Sequence, residues 1–328
     1  MSYALRRAGQ AAIVLIAAFT ATFFLLQLLP GDAILIKFAD PSLGLSAEQL
    51  DGIRAAYGTD LPWWQQYIHA ALGFLRGDFG YSTQFGTPVL ALLAEAIPST
   101  LLLASLGFVV AVLLAAVIAA VSSLAPFGWL RGLLRQVPGL FVAVPVFWLG
   151  ILLIQVFSFG LGWVPIVGAD PVQGLILPVL TLAVPISAPI AQVLVRAIDQ
   201  VQAQPFITVV RAKGAPPLWV LTRSVARNAA VPTLTIAGVL FGELVGGAVV
   251  TETVFGRTGI GRLTEQAVAN QDIPVLQGVV LVSALGFVVV GFVVDLVTPL
   301  IDPRQRRAVA ASVRRAPLDA HRDQEAIA

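Results

Sequence analysis

Six stretches of this chain are apolar almost throughout, at about residues 9 to 29, 98 to 122, 135 to 159, 174 to 195, 229 to 251 and 275 to 301. Each is long enough for a helix to cross a hydrocarbon core roughly 30 Å thick, which takes about 20 residues. Lipid offers backbone groups no hydrogen-bond partners, so only helices and closed barrels can span it. Barrel strands would be short and would alternate apolar with polar residues. These runs are continuous and rich in Leu, Ala, Val and Gly, and they predict an all-α integral membrane protein with six transmembrane helices. Composition agrees: 58% of the 328 residues are hydrophobic and 12% charged, with a mean hydropathy of +0.89, far from an ordinary soluble domain. Cysteine is absent, which removes disulfides, thiolate chemistry and Cys-based metal sites. The first run follows Arg6 and Arg7 as a secretory signal does, but it is long for that role and Leu28 to Asp32 offers no small-residue cleavage pattern, so it reads as a retained span.

Charge placement orients the spans. Of the 20 Lys and Arg, five (Lys37, Arg54, Arg76, Arg257 and Arg262) fall on one side and the other fifteen on the opposite side. The basic-rich side faces the cytoplasm, so both termini are expected there. The chain then divides into an N-terminus with helix 1 (1 to 30), a long extracytoplasmic loop with amphipathic helices (31 to 97), a core of helices 2 to 6 (98 to 301, with an inner loop at 196 to 228) and a cytoplasmic tail (302 to 328) whose polar end, HRDQEAIA, reads as solvated chain.

In the outer loop, Ser46 and Gln49 have capping-box spacing, followed by Leu50, Ile53 and Tyr57 on one helical face before Gly58. A second helix is predicted from Pro62, where Trp63, Trp64, Tyr67, Ile68, Ala71 and Leu75 form an apolar stripe. Such a stripe suits the membrane interface, or a lid or docking surface for an external partner. The other long outer loop, Glu252 to Asp272, contains GRTGIGR at Gly256 to Arg262. With no preceding strand and no GxxxxGK[ST], these glycines read as tight turns and not as a nucleotide site. The whole chain lacks a P-loop, so any use of ATP must come from another subunit.

The inner loop holds FITVVRAKG at Phe206 to Gly214. Phe206, Val209, Val210 and Lys213 are predicted on one face of a short helix that Gly214 ends, with Pro216-Pro217 opening a second short helix through Leu218, Trp219 and Leu221. Two short helices meeting at a glycine corner suit either a basic loop retained on the inner side or a knob that inserts into a moving partner.

VRAKG, followed by RNAAVP at Arg227 to Pro232, resembles the cytoplasmic coupling signature of inner-membrane permease subunits of ABC importers, in their dipeptide and oligopeptide branch. LLPGD at Leu28 to Asp32, GDFGYS at Gly77 to Ser82, LGWVP at Leu161 to Pro165 and DPR at Asp302 to Arg304 fit the same branch in order, from about residue 5 to 307. The acidic-alanine start of the wider coupling motif is replaced here by Thr208-Val209-Val210. The resemblance implies a six-helix permease of the type I importer kind in a bacterial inner membrane. Its implied partners are a second homologous permease subunit, two cytoplasmic P-loop ATPase subunits and an extracytoplasmic binding protein that delivers peptide. ATP and Mg would sit on the ATPases, with no cofactor on this chain. Phe206, Arg211, Ala212, Lys213 and Gly214 become the expected ATPase contacts, with Gly214 as the corner and Phe206 as a buried knob. Gly77, Asp78 and Gly80, with Trp63 and Trp64, become outer-loop candidates.

Within the spans, Glu243 is an acid near the middle of the fifth run, where charge is costly unless it faces water or a partner. It is a candidate pathway or gate residue, or an interface hydrogen-bonding group. Gly238, Gly242 and Gly246 repeat every four residues beside it and suit close helix approach. Asp295 lies near the inner end of the last run, within reach of Arg304 or Arg306. Pro178, Pro185 and Pro189 are expected to bend the fourth span. His69 and His321 give no HExxH, metal set or Ser-His-Asp grouping, so no catalysis and no nucleic-acid binding is expected. Nickel complexes or other small solutes remain alternative cargo, and a self-sufficient proton-coupled carrier using Glu243 remains the rival mechanism.

Overall fold

The computed structural model describes residues 3–27, 46–50, 52 and 61–301. The expected motif at Leu28 to Asp32, the face through Ile53 and Tyr57 with its stop at Gly58, the DPR at Asp302 to Arg304, the tail and the side chain of Asp295 lie outside what it describes. Among the described residues there is no strand, only an isolated bridge between Tyr81 and Pro88.

Helix α1 is Tyr3–Gln27, α2 Trp63–Leu75, α3 Val89–Leu124, α4 Gly128–Ala143 and α5 Val146–Leu153, continued by a π-helical stretch, Ile154–Gly160. Helix α6 is Gln173–Gln202 and α7 Pro205–Ala212. A turn at Pro217–Trp219 and a π-helical stretch, Val220–Val225, lead into α8, Ala226–Val254. Helices α9, Ile260–Ala269, and α10, Ile273–Ile301, complete the order.

Among the described residues, five helices are long and apolar enough to cross a membrane, and six if α4 and the Val146–Gly160 segment make one broken span. The run expected at 135 to 159 is therefore not one straight helix. It starts earlier, at Gly128, and breaks at Val144-Pro145, where Pro145 takes φ −61° and ψ 135°. Proline has no N–H to continue the ladder, and its ring pushes the preceding residue toward extended backbone. The second span also begins earlier than its apolar run suggests. At 36 residues, α3 is about 54 Å long and exceeds the hydrocarbon core. Helix α6 continues through Pro178, Pro185 and Pro189.

The chain forms two compact units. The first comprises Met1–Ala111, Val144–Pro185 and Gly242–Val288, the second Val112–Ala143, Ile186–Phe241 and Val289–Ala328. In the first, Val89, Leu93 and Ala96 of α3 pack with Ile260, Leu263 and Ala267 of α9 and with Val275, Leu276 and Val279 of α10. Helix α2 rests on α1 through aromatic contacts. The Tyr67 ring lies 5.3 Å from Phe19 and 5.2 Å from Phe23, and its hydroxyl is 2.8 Å from Thr20 Oγ1. The second unit has its core at Ala119, Val195, Ile198, Ile207, Val220, Leu221, Val225 and Ala229, with an ion pair of 2.7 Å between Arg135 and Asp199 at its surface.

Candidate functional site

The inner loop is built on one buried side chain. Ile207 of α7 is fully buried and packs with Val220, Leu221 and Val225, while Phe206 beside it is 45% exposed. Pro205 opens α7 at its first position, where a missing N–H costs nothing. Gly214 closes the corner at φ +84°, with its N–H donating to the Arg211 carbonyl at 2.9 Å. Arg211 Nη2 donates to Gln202 Oε1 at 3.2 Å.

Arg211, Ala212, Lys213 and Gly214 are all exposed. The face expected for Phe206, Val209, Val210 and Lys213 is divided. Val210 packs on the core, whereas Phe206 and Val209 are exposed with Leu218 and Trp219. The result is an apolar ridge with a basic flank, held from below by Ile207. Exposed apolar groups rimmed by polar residues are the usual anatomy of a docking surface.

The segment from the end of α8 to the start of α10 is bordered by two buried carboxylates that the apolar runs gave no sign of. Glu252, at the C-terminal end of α8, is fully buried. Its Oε1 accepts from the Thr100 hydroxyl at 2.6 Å and its Oε2 from the Gly261 N–H at 2.7 Å, while Thr100 Oγ1 accepts from the Ile260 N–H at 2.8 Å. The carboxylate therefore meets the first turn of α9, whose free N–H groups and positive dipole end favour an anion. The glycines of GRTGIGR serve this contact. A Cβ on Gly259 would collide with the Glu252 carboxylate and one on Gly261 with the Val249 backbone.

Asp272 is the second buried acid. Its Oδ2 accepts from the Ser82 hydroxyl at 2.5 Å and from the Gln84 N–H at 3.0 Å, and its Oδ1 from the Thr83 N–H at 3.2 Å. Ser82 closes the GDFGYS segment, so Asp272 ties that segment to the start of α10. The signals in the sequence were Glu252 and Asp272 at the two borders of the glycine loop and Ser82 at the end of its motif.

Other expected sites stand as follows. Gly77 and Gly80 have φ of +77° and +74°, and Asp78 Oδ1 accepts from the Gly80 N–H at 2.9 Å, so the three form a tight turn after α2. Trp63 and Trp64 are about half exposed, Trp63 touching Phe24 of α1. Ser46 and Gln49 do form a capping box, Ser46 N–H donating to Gln49 Oε1 at 2.8 Å and Gln49 N–H to Ser46 Oγ at 3.3 Å. Glu243 is exposed on α8, as are Gly246 and Gly247, and Gly242 is half-buried. Nothing lies within 4 Å of a Cβ built on Gly246 or Gly247, so this face has room for another helix. Among the described residues no group of three His, Cys, Asp or Glu could hold a metal.

Residues 111–307 match the model of the family described as binding-protein-dependent transport system inner membrane component. The chain is 36% identical over 313 residues to a probable peptide ABC transporter permease protein, y4tP, of Sinorhizobium fredii, covering 93% of this chain and 99% of that one. It is 34% identical over 284 residues to the glutathione transport system permease protein GsiC of Escherichia coli, covering 87% and 92%. It is also 34% identical over 310 residues to a putative peptide transport system permease of Brucella abortus, covering 92% and 98%. Among solved structures, the inward-facing MetNI methionine ABC transporter matches with a TM-score of 0.55 at 17% identity, over 64% of this chain and 96% of that one, a likeness of fold.

Proposed function

Because the chain belongs to the family of binding-protein-dependent transport system inner membrane components and is the permease component of an ABC importer, we propose that it carries di- and oligopeptides inward by alternating access across a bacterial inner membrane, with both termini in the cytoplasm. The cargo reading draws on the relatives, two named for peptides and one for glutathione, itself a small peptide. The chain pairs with a second, similar permease, which covers the open glycine face of α8 around Gly242, Glu243 and Gly246. Two ATPase subunits, holding ATP and Mg, dock on the inner loop through Phe206, Arg211, Ala212, Lys213 and Gly214. A binding protein releases peptide at the outer loops, where the turn of Gly77, Asp78 and Gly80 and the Trp63 and Trp64 face stand.

The observation that carries this reading is the inner ridge. Ile207 roots α7 in the core that also holds α6 and the start of α8, and Phe206, Val209, Leu218 and Trp219 stand clear of it. A partner that grips the tip therefore moves the root, and the root moves two membrane helices. Packed cores transmit such displacements because they are close to incompressible. The test is recovery of tagged native chain in mild detergent, with copurifying proteins identified by mass spectrometry. A second six-span permease and P-loop ATPases are expected. The chain alone, under conditions that keep other membrane complexes intact, overturns the reading.

A further inference from the structure

We propose that the pocket between residues 164–178 and Arg257 receives a carboxylate side chain of the extracytoplasmic binding protein, with Arg257 as its counter-charge. This rests on the importer reading above and identifies where that partner docks. The pocket is walled by Val164, Ile166, Leu177 and Phe255, with Asp170, Gln173 and Arg257 as its polar side chains. Arg257 is presented by a tight turn. Gly256 has φ +62°, and the Arg257 N–H donates to the Glu252 carbonyl at 2.9 Å, so the anchored Glu252 also fixes the arginine.

The guanidinium is only partly satisfied. Nη1 donates to the Gly174 carbonyl at 3.2 Å, while Nε is buried with no partner. A buried donor left unpaired is costly, and native proteins rarely leave one so. A guanidinium with donors to spare is a strong partner for a carboxylate. The pocket's own acid does not take that place. Asp170 Oδ1 accepts from the Val172 and Gln173 N–H groups, both at 2.8 Å, which caps the start of α6.

The surroundings suit a protein and not a free solute. The segment that walls the pocket exposes Trp163, Val167 and Val172, Val167 by 90%. Arg257 shares the pocket with Asp170 and Gln173, and a charged anchor beside exposed apolar groups is the anatomy of a protein interface. By charge count both loops face outward, the side from which a binding protein approaches.

The test uses the whole importer in nanodiscs and the purified binding protein of the same system, with affinity measured by interferometry. Arg257→Gln is expected to weaken binding about tenfold and to flatten its salt dependence, with Arg257→Lys in between. Arg257→Glu should weaken it further and be restored by an acid-to-arginine change on the contact face of the binding protein. Native affinity in intact Arg257→Gln complexes overturns the proposal. Native affinity with a raised KM for uptake makes the occupant the peptide carboxylate, and loss of the second permease on size exclusion makes it a permease interface; either also overturns it. Should the variants fail to fold, a photocrosslinker at Val167 in the otherwise native chain is expected to capture the binding protein, and no adduct under conditions where that protein binds sinks the idea. If the native complex binds no binding protein at all, it is the importer reading that fails.

Discussion

Gly214 sits where a side chain is hardest to place and where the proposed partner would press. A residue with a Cβ costs about 1–2 kcal/mol in the left-handed region, and here it would also add bulk to the exposed corner of the inner loop. Gly214→Trp is expected to insert normally, as judged by membrane yield, while peptide uptake and its coupling to ATP hydrolysis are lost; native uptake by this variant contradicts the docking role. The outer carboxylates make a different demand. Glu252→Leu leaves the Thr100 hydroxyl and the Gly261 N–H without their acceptor, at about 1–3 kcal/mol for each buried group left unpaired. Thermal unfolding in detergent is expected to fall markedly for Glu252→Leu and less for Glu252→Gln, which keeps one acceptor. Gly259→Ala should fall as well, through collision with the carboxylate. Mid-span depth points to Glu243, whereas the acids with built sites are Glu252, at a helix end, and Asp272. Depth along an apolar run is legible one residue at a time. Burial of Glu252 depends on Thr100, some 150 residues away, and on a loop folding back, which no local pattern states.

At the scale of elements, α7 separates a structural role from a coupling role on adjacent residues. Ile207→Ala removes a fully buried side chain and is expected to cost about 2–5 kcal/mol, seen as a lower unfolding temperature of the purified chain. Phe206→Ala, next to it and exposed, should leave that temperature unchanged while copurification of the ATPases drops; equal loss of stability in both would remove the distinction. Helix existence was well announced by the apolar runs, and the starts at Pro62 and Pro217 by proline. The break at Pro145 was also written in the sequence, but an apolar run on both sides hid it, because hydropathy measures solvent preference and carries no information about a missing N–H. The π-helical stretches at Ile154–Gly160 and Val220–Val225 had no composition signal, since a changed hydrogen-bond register leaves residue type untouched.

For the whole molecule, class and family were readable because twenty-residue apolar runs have one physical use and because ordered short motifs hold their spacing. What one chain could not state is what covers its exposed faces, and those faces carry the transport account. The central claim is that this permease moves peptide only when driven through its inner loop by separate ATPases. The direct measurement is uptake of labelled di- and tripeptides into proteoliposomes holding this chain, its second permease, the ATPases and the binding protein, with and without ATP, beside liposomes holding this chain alone. The expected result is accumulation that requires ATP and every component. Uptake by this chain alone, driven by a proton gradient and lost in Glu243→Gln, would contradict it.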